Sequence, residues 1–181
     1  SNQWMGYGLT HTGQIRETNQ DSFLIDNKHG LWIVADGIGN HARSDIASQL
    51  AVKTIQESIN ISSLQHNKAN LAKWTTLLET AVVKTNSTIR SRAETEEALK
   101  GIGTTVVFMF MPDPRGKKAY IVHVGDSRAY LIRDQQLTNL TRDHTLLEER
   151  IQVGILPRTT SINHPLGHVL MRAIGMTPSV E

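Results

Sequence analysis

The sequence contains no cysteine. That excludes disulfide frameworks, thiolate zinc sites and every mechanism with a cysteine nucleophile. Long hydrophobic runs are also missing. No stretch approaches the roughly 18 apolar residues of a membrane span, and no signal peptide is evident, so no membrane partner and a cytoplasmic location are expected. Charge of one sign does not dominate: Lys+Arg 19 stand against Asp+Glu 17, a formal net charge of +2. A nucleic-acid binder would present a basic cluster, and none is visible. Arg115, Lys117 and Lys118 sit in a turn-like stretch and read as a solvated loop. Internal repeats and low-complexity segments are absent too. With 181 residues, 39% hydrophobic and 20% charged, the chain can bury the core of one domain and does not have the composition of a disordered one.

What is present changes period along the chain. Residues 7–11 could form a short edge strand. Residues 22–26 place Phe23 and Ile25 on one face. Residues 30–36 are nearly continuously apolar, as in a buried strand. Two helices are then expected. The first runs over residues 44–61, with Ile46, Ala47, Leu50, Ala51, Ile55 and Ile59 on one face and Ser44-Asp45 at its start. A polar connection over 62–68 leads to the second. It begins near Asn70, carries Trp74, Leu78, Ala81, Val82, Thr85 and Ile89 on its apolar face, and ends by Gly101. Residues 104–111, 119–124, 128–133 and 137–140 are β-type runs separated by turns, which predicts an antiparallel meander. A short helix over 146–153 and a Gly- and Pro-punctuated loop over 154–166 follow, and residues 169–174 are apolar again. Strands, then helices, then strands argue for an α+β fold with helices on an antiparallel sheet.

Several segments could carry chemistry. In Asp36-Gly37-Ile38-Gly39-Asn40-His41, a buried strand ends in a carboxylate followed by a turn. Asp-Gly is a common turn pair. The functional reading is a carboxylate on a rigid strand end, with Gly37 letting its carbonyl approach a hard divalent ion such as Mg²⁺ or Mn²⁺. In residues 16–21, Arg16 and Asp21 flank a polar stretch. It reads either as a solvated loop or as a metal carboxylate beside an arginine whose planar fork meets two phosphate oxygens. Gly125-Asp126-Ser127 is a tight turn that adds a third acidic strand end. In Gly101-Ile102-Gly103-Thr104-Thr105, at the start of a strand, the glycines read as tight-packing positions, and residues 140–145 read as a helix cap or a loop with a partly buried His144.

The order and spacing of these segments closely resemble the PPM family, the metal-dependent Ser/Thr protein phosphatases also called protein phosphatase type 2C, in their bacterial form. The resemblance runs from about residue 6 to 175. It implies a sandwich of two antiparallel sheets with helices outside. It also implies that Asp36 bridges two metal ions, that the Gly37 carbonyl binds one of them, and that Asp21 is a further ligand. Asp126 would contribute to a third, weaker ion, and Arg16 would grip the substrate phosphate. Residues 145–168 match the variable flap beside the active site. The implied reaction is hydrolysis of phosphoserine and phosphothreonine on proteins by a water activated between two Mn²⁺ or Mg²⁺ ions about 4 Å apart, with no covalent enzyme intermediate. A Ser/Thr kinase or its substrates would be natural partners.

Two departures from the family pattern stand out. The histidine that some members carry after the Asp-Gly pair is Ile38 here, and His41 lies three residues on, so no general acid is assigned. The later strands of the pattern, with two more metal-binding aspartates, do not follow Gly175. The expectation is therefore a single PPM-type domain over 1–181 that lacks its C-terminal strands. Low activity of this span, and self-association through an open sheet edge, are expected with it. The alternative is a catalytically dead relative that binds phosphoproteins.

Overall fold

The computed structural model describes residues 4–39, 43–65, 71–113 and 118–181. Its strands are β1 (Asp21–Asp26), β2 (Leu31–Ile38), β3 (Gly103–Thr104), β4 (Val106–Phe110), β5 (Tyr120–Val124), β6 (Tyr130–Arg133) and β7 (Gln136–Asn139). Its helices are α1 (Ser44–Gln65), α2 (Leu71–Thr95) and α3 (Leu146–Gln152), with single 3-10 turns at Glu97–Leu99 and Pro165–His168. The strands form a five-stranded sheet in the order β1-β2-β4-β5, with β3 paired to the end of β2, and a separate two-stranded hairpin of β6 and β7. Every pairing in the two sheets is antiparallel.

Period-two alternation decides which sheet face is covered. Leu31, Ile33 and Ala35 of β2, and Val106, Phe108 and Phe110 of β4, are buried on one face. Ala47, Ala51, Ile55 and Ile59 of α1, with Trp74, Leu78, Val82 and Ile89 of α2, complete that core. Trp74 meets Phe110 edge-on at a ring-centroid distance of 4.8 Å. Such pairs add modestly to area burial. The opposite face carries Phe23, Val34, Trp32 and Met109 and is only partly covered: Val34 remains 49% exposed.

The α+β class, the antiparallel pairing and the helix layer agree with the sequence expectation. Four details differ. Residues 7–11 form no strand; Gly6 and Gly8 instead lie against the Trp32 and Phe23 rings, where a Cβ would collide. Helix α1 runs through the polar connection as far as Gln65. The β-runs after α2 do not make one meander: β4 pairs β5, but β6 pairs only β7 among the described residues. Gly125 turns the chain out of β5 with φ +106°, and the bidentate Arg128–Asp143 pair (2.8 and 2.6 Å) ties the start of the hairpin to the chain that follows it. Finally, the apolar residues 169–174 form isolated bridges, Leu170 with Thr145 and Ile174 with Thr104. Most of the turn containing Arg115 and Lys117 lies outside the described residues. The short helix α3 does form, capped by the Thr145 hydroxyl, which accepts from the Glu148 N–H.

Phe110 closes the interface between sheet and helices, so Phe110→Ala leaves a cavity facing Trp74. The expected loss is about 3–5 kcal/mol of unfolding free energy, measured by urea denaturation.

Candidate active site

The pairing register brings the first two sequence motifs together. Asp21 lies directly opposite Asp36 at the end of the β1–β2 pair, so both carboxyl groups project from the same sheet face. Like charges in that relation repel. The carboxyl of Asp36 is pushed up to about 6, first by burial, then by the charge of Asp21, a hydrogen bond with Asp21 and the charge of Asp126. Arg16 acts in the opposite direction. Asp126 is also raised, chiefly by burial, with Asp143 adding to the effect. The structure thus brings Asp21, Asp126 and Arg16 each within electrostatic reach of Asp36. His41 lies outside the described residues.

Each residue of the Asn19-Gln20-Asp21 stretch has a local task. The Asn19 side chain accepts from the Asp21 N–H at 3.0 Å and donates to the Thr10 hydroxyl at 2.8 Å. The Gln20 carbonyl accepts from the Gly37 N–H at 3.0 Å and from the Ser48 hydroxyl at 2.7 Å. The Gln20 side chain receives the Arg16 guanidinium at 3.0 Å. Gly37 is required for a reason the sequence did not disclose. A Cβ there would stand 2.2 Å from the Ser44 carbonyl oxygen and 2.7 Å from that of Gln20. The end of β2 is wedged between the start of α1 and the Gln20 backbone, and only glycine fits.

The Gly125-Asp126-Ser127 turn is held by residues that the sequence reading did not single out for this role. The Gly125 N–H donates to Nδ1 of His144 at 3.0 Å, and the His144 N–H donates back to the Gly125 carbonyl at 3.0 Å. The His144 ring stacks on His123 at 4.5 Å. Burial, with His123 and Arg172 nearby, pushes His144 down to about 4. It is neutral at physiological pH, as an acceptor must be. The partly buried histidine was legible in the sequence, but its partner across the turn was not.

The donors suit a hard divalent cation. Burial and the charge of Asp21 disfavour the ionised form of Asp36, which a divalent charge would favour, and all the donors are oxygen. Among the described residues, no group of three or more acidic, histidine or cysteine side chains is close enough to hold an ion. Asp21 and Asp36 are a pair, with Asp126 set further away. Mg²⁺ accepts such a set, since it commonly takes one or two carboxylates and keeps several waters.

The comparisons with known proteins agree with this arrangement. The family described as Protein phosphatase 2C matches residues 8–153. The serine/threonine phosphatase stp of Listeria innocua is 33% identical over 175 residues, covering 95% of this chain and 67% of that protein. The crystal structure of the PPM Ser-Thr phosphatase MsPP from Mycobacterium smegmatis, in complex with cacodylate, superposes with a TM-score of 0.75 at 31% identity, covering 93% of this chain and 66% of that one. The catalytic domain of the serine threonine protein phosphatase PstP, solved with 2 manganese ions, gives a TM-score of 0.71 at 29% identity, covering 93% and 65%. A sheet backed by helices, with acidic strand ends around an arginine, defines the class of metal-dependent phosphoester hydrolases. Within it, the chain belongs to the protein phosphatase 2C family, whose named members here are serine/threonine phosphatases. It spans about two thirds of the length of these relatives.

The carboxylate and the imidazoles give opposite pH dependences. Asp36 has an ordinary value of 3.8 and is raised to about 6 in the fold. Between these values the native state keeps a proton that the unfolded state has lost, so stability falls as pH rises through the window. The raised Asp126 acts with the same sign. His144, lowered from 6.5 to about 4, contributes stability that is complete above 6.5 and lost as pH falls toward 4. The lowered His123 acts with the same sign as His144. Asp36→Asn removes one side of this opposition. In EDTA, the stability advantage of that variant over the unsubstituted chain should grow from about pH 4 to about pH 6 and then level off. Urea unfolding across that range measures it, and an advantage independent of pH would remove Asp36 from the titration.

Proposed function

We propose that this chain carries the metal-binding and phosphate-gripping half of a protein Ser/Thr phosphatase site, acting on phosphoserine and phosphothreonine. The observation that carries the reading is the meeting of the Asp21 and Asp36 carboxyls at one strand end, with Arg16 and Asp126 in reach. In this reading Asp21, Asp36, the Gly37 carbonyl and Asp126 would hold Mn²⁺ or Mg²⁺; the choice of metal is supported by the relative PstP, solved with 2 manganese ions. Bound there, such ions supply positive charge that acidifies water and neutralises phosphoryl oxygens. Arg16 offers its planar fork to two oxygens of the phosphoryl group and stabilises their charge as the ester bond breaks. Gln20 holds that guanidinium from behind. Phosphorylated proteins are the substrates, with a Ser/Thr kinase or its targets as natural partners in the cytoplasm. No helix among the described residues is long and apolar enough to cross a membrane. Among the described residues the outer strands β1 and β5 each pair with a strand on one edge alone, and the other edges are the surfaces proposed for self-association.

The sparse carboxylate set among the described residues favours a second reading, a phosphoprotein-binding module with little turnover. One experiment separates the two. Hydrolysis of a phosphothreonine peptide by these 181 residues should be slow, dependent on Mn²⁺ and abolished by EDTA. Asp36→Asn should eliminate it, and Arg16→Ala should reduce it on the order of a hundred-fold. Binding of the peptide without any Mn²⁺-dependent turnover would favour the module. Turnover that survives EDTA or Asp36→Asn would overturn the metal site.

A further inference from the structure

Thr105 stands between the two acidic strand ends. Gly37 pairs with Thr104, and Val34 with Val107, in one unbroken register. Thr105 therefore lies opposite Asp36. A regular narrow antiparallel pair would exchange two backbone hydrogen bonds there. Only one is present: the Thr105 N–H donates to the Asp36 carbonyl at 2.9 Å. The Asp36 N–H instead reaches the Thr105 hydroxyl at 3.3 Å. The Thr105 carbonyl accepts from the Thr104 hydroxyl at 2.7 Å, and that hydroxyl also lies 3.0 Å from the Asp36 carbonyl. The ladder thus opens at one residue, and a side chain takes over the place of a carbonyl.

The same Thr105 hydroxyl lies 2.6 Å from the Ser127 hydroxyl, on the turn that carries Asp126. Contact between the two elements is close on the carbon side as well. A Cβ on Gly125 would fall 2.7 Å from Cγ2 and 2.8 Å from Cβ of Thr105. Thr105 is itself fully buried. One side chain therefore touches the backbone of Asp36, the neighbour of Asp126 on one side and the hydroxyl of its neighbour on the other.

We propose that Thr105 is a positioning residue that sets the separation of Asp36 from Asp126 through the Thr105–Ser127 hydroxyl pair, and so decides whether the two carboxylates can serve one metal cluster. The inference rests on the metal-binding reading above. It touches neither ion nor phosphate, so its effect should be selective. Loss of the hydroxyl should weaken the ion held at Asp126 more than the ion held by the Asp21–Asp36 pair, because the strand pairing of β1 and β2 does not depend on it. Outer partners of metal ligands commonly matter at about 10- to 100-fold in affinity.

The test is a Mg²⁺ titration of the chain followed through the backbone amide ¹H–¹⁵N shifts of Asp21, Asp36 and Asp126. Thr105→Val keeps the branched shape and removes the hydroxyl, Ser127→Ala removes its partner, and Thr105→Ser restores a hydroxyl. Thr105→Val and Ser127→Ala should each raise the apparent Mg²⁺ dissociation constant at Asp126 by about tenfold or more. The double variant should be no worse than Thr105→Val alone, since that change already breaks the pair with Ser127 and also removes the acceptor of the Asp36 N–H. The Asp36 response should stay within about twofold, and Thr105→Ser should recover the response at Asp126. A merely structural role would weaken both responses together or neither. If Mg²⁺ moves none of these amides in the unsubstituted chain, the metal reading falls and this inference with it. If Asp36→Asn removes the Mg²⁺ response while Thr105→Val leaves Asp126 unchanged, the metal reading stands and the positioning role is overturned.

Discussion

Strand β2 has a hydrogen-bonded neighbour on each edge, and its final residues cannot move independently of either. On one side β1 places Asp21 against Asp36. On the other, β3 and β4 place Thr104 and Thr105 along the same residues, and Thr104 in turn exchanges both backbone bonds with Ile174. Above the strand end, Ser44 at the start of α1 packs on Gly37. A carboxylate on a free loop would relax away from a second carboxylate. Here backbone hydrogen bonds and close packing keep the two together, and burial first, then the charge of Asp21, raises the Asp36 carboxyl. A rigid scaffold that gathers like charge favours a divalent cation without needing many side chains.

The helix layer provides that rigidity at a distance. Asn86 on α2 is buried, accepts from the Gly175 N–H at 2.7 Å and donates to the Thr177 carbonyl at 3.0 Å. That fastens the Ile174 bridge beside β3. The stacked histidines fasten the Asp126 turn by a different route. The Asn86 amide and His144 Nδ1 both find partners, as burial demands, whereas Nδ1 of His123 is buried without one among the described residues. The α2 face and the end of β2 are thus joined by a run of hydrogen bonds through Asn86, Gly175, Ile174 and Thr104.

Much of the arrangement was legible from residue order. Helical periodicity located α1 and α2 because their buried faces recur at three- and four-residue steps, and the continuous apolar run located β2 because both its faces are at least partly covered. Legibility failed where local pattern and partner diverge. The alternating runs after α2 looked like one meander, since alternation reports a half-buried strand and says nothing about which strand pairs with it. Residues 7–11 read as a short strand, yet Gly8, with Gly6 just before the span, lets the chain pass close over Phe23 and Trp32. The glycines of residues 101–105 read as packing positions, which holds for Gly103 against Met176 but omits what the Thr105 hydroxyl joins.

Residue chemistry, by itself, determined the ligand class and the family. A chain without cysteine that sets Asp21, Asp36 and Asp126 at or near the ends of its β-type runs and keeps Arg16 upstream has oxygen donors for a hard ion and a fork for a phosphate, whatever its shape. Tertiary structure alone decided which of those groups meet. The β1–β2 register sets Asp21 against Asp36, while Asp126 is placed through Thr105, Ser127 and His144, residues 19 to 22 positions from their partners in the chain. Side-chain identity is local and readable, but the distance between two carboxylates depends on backbone pairings formed only when the sheet closes.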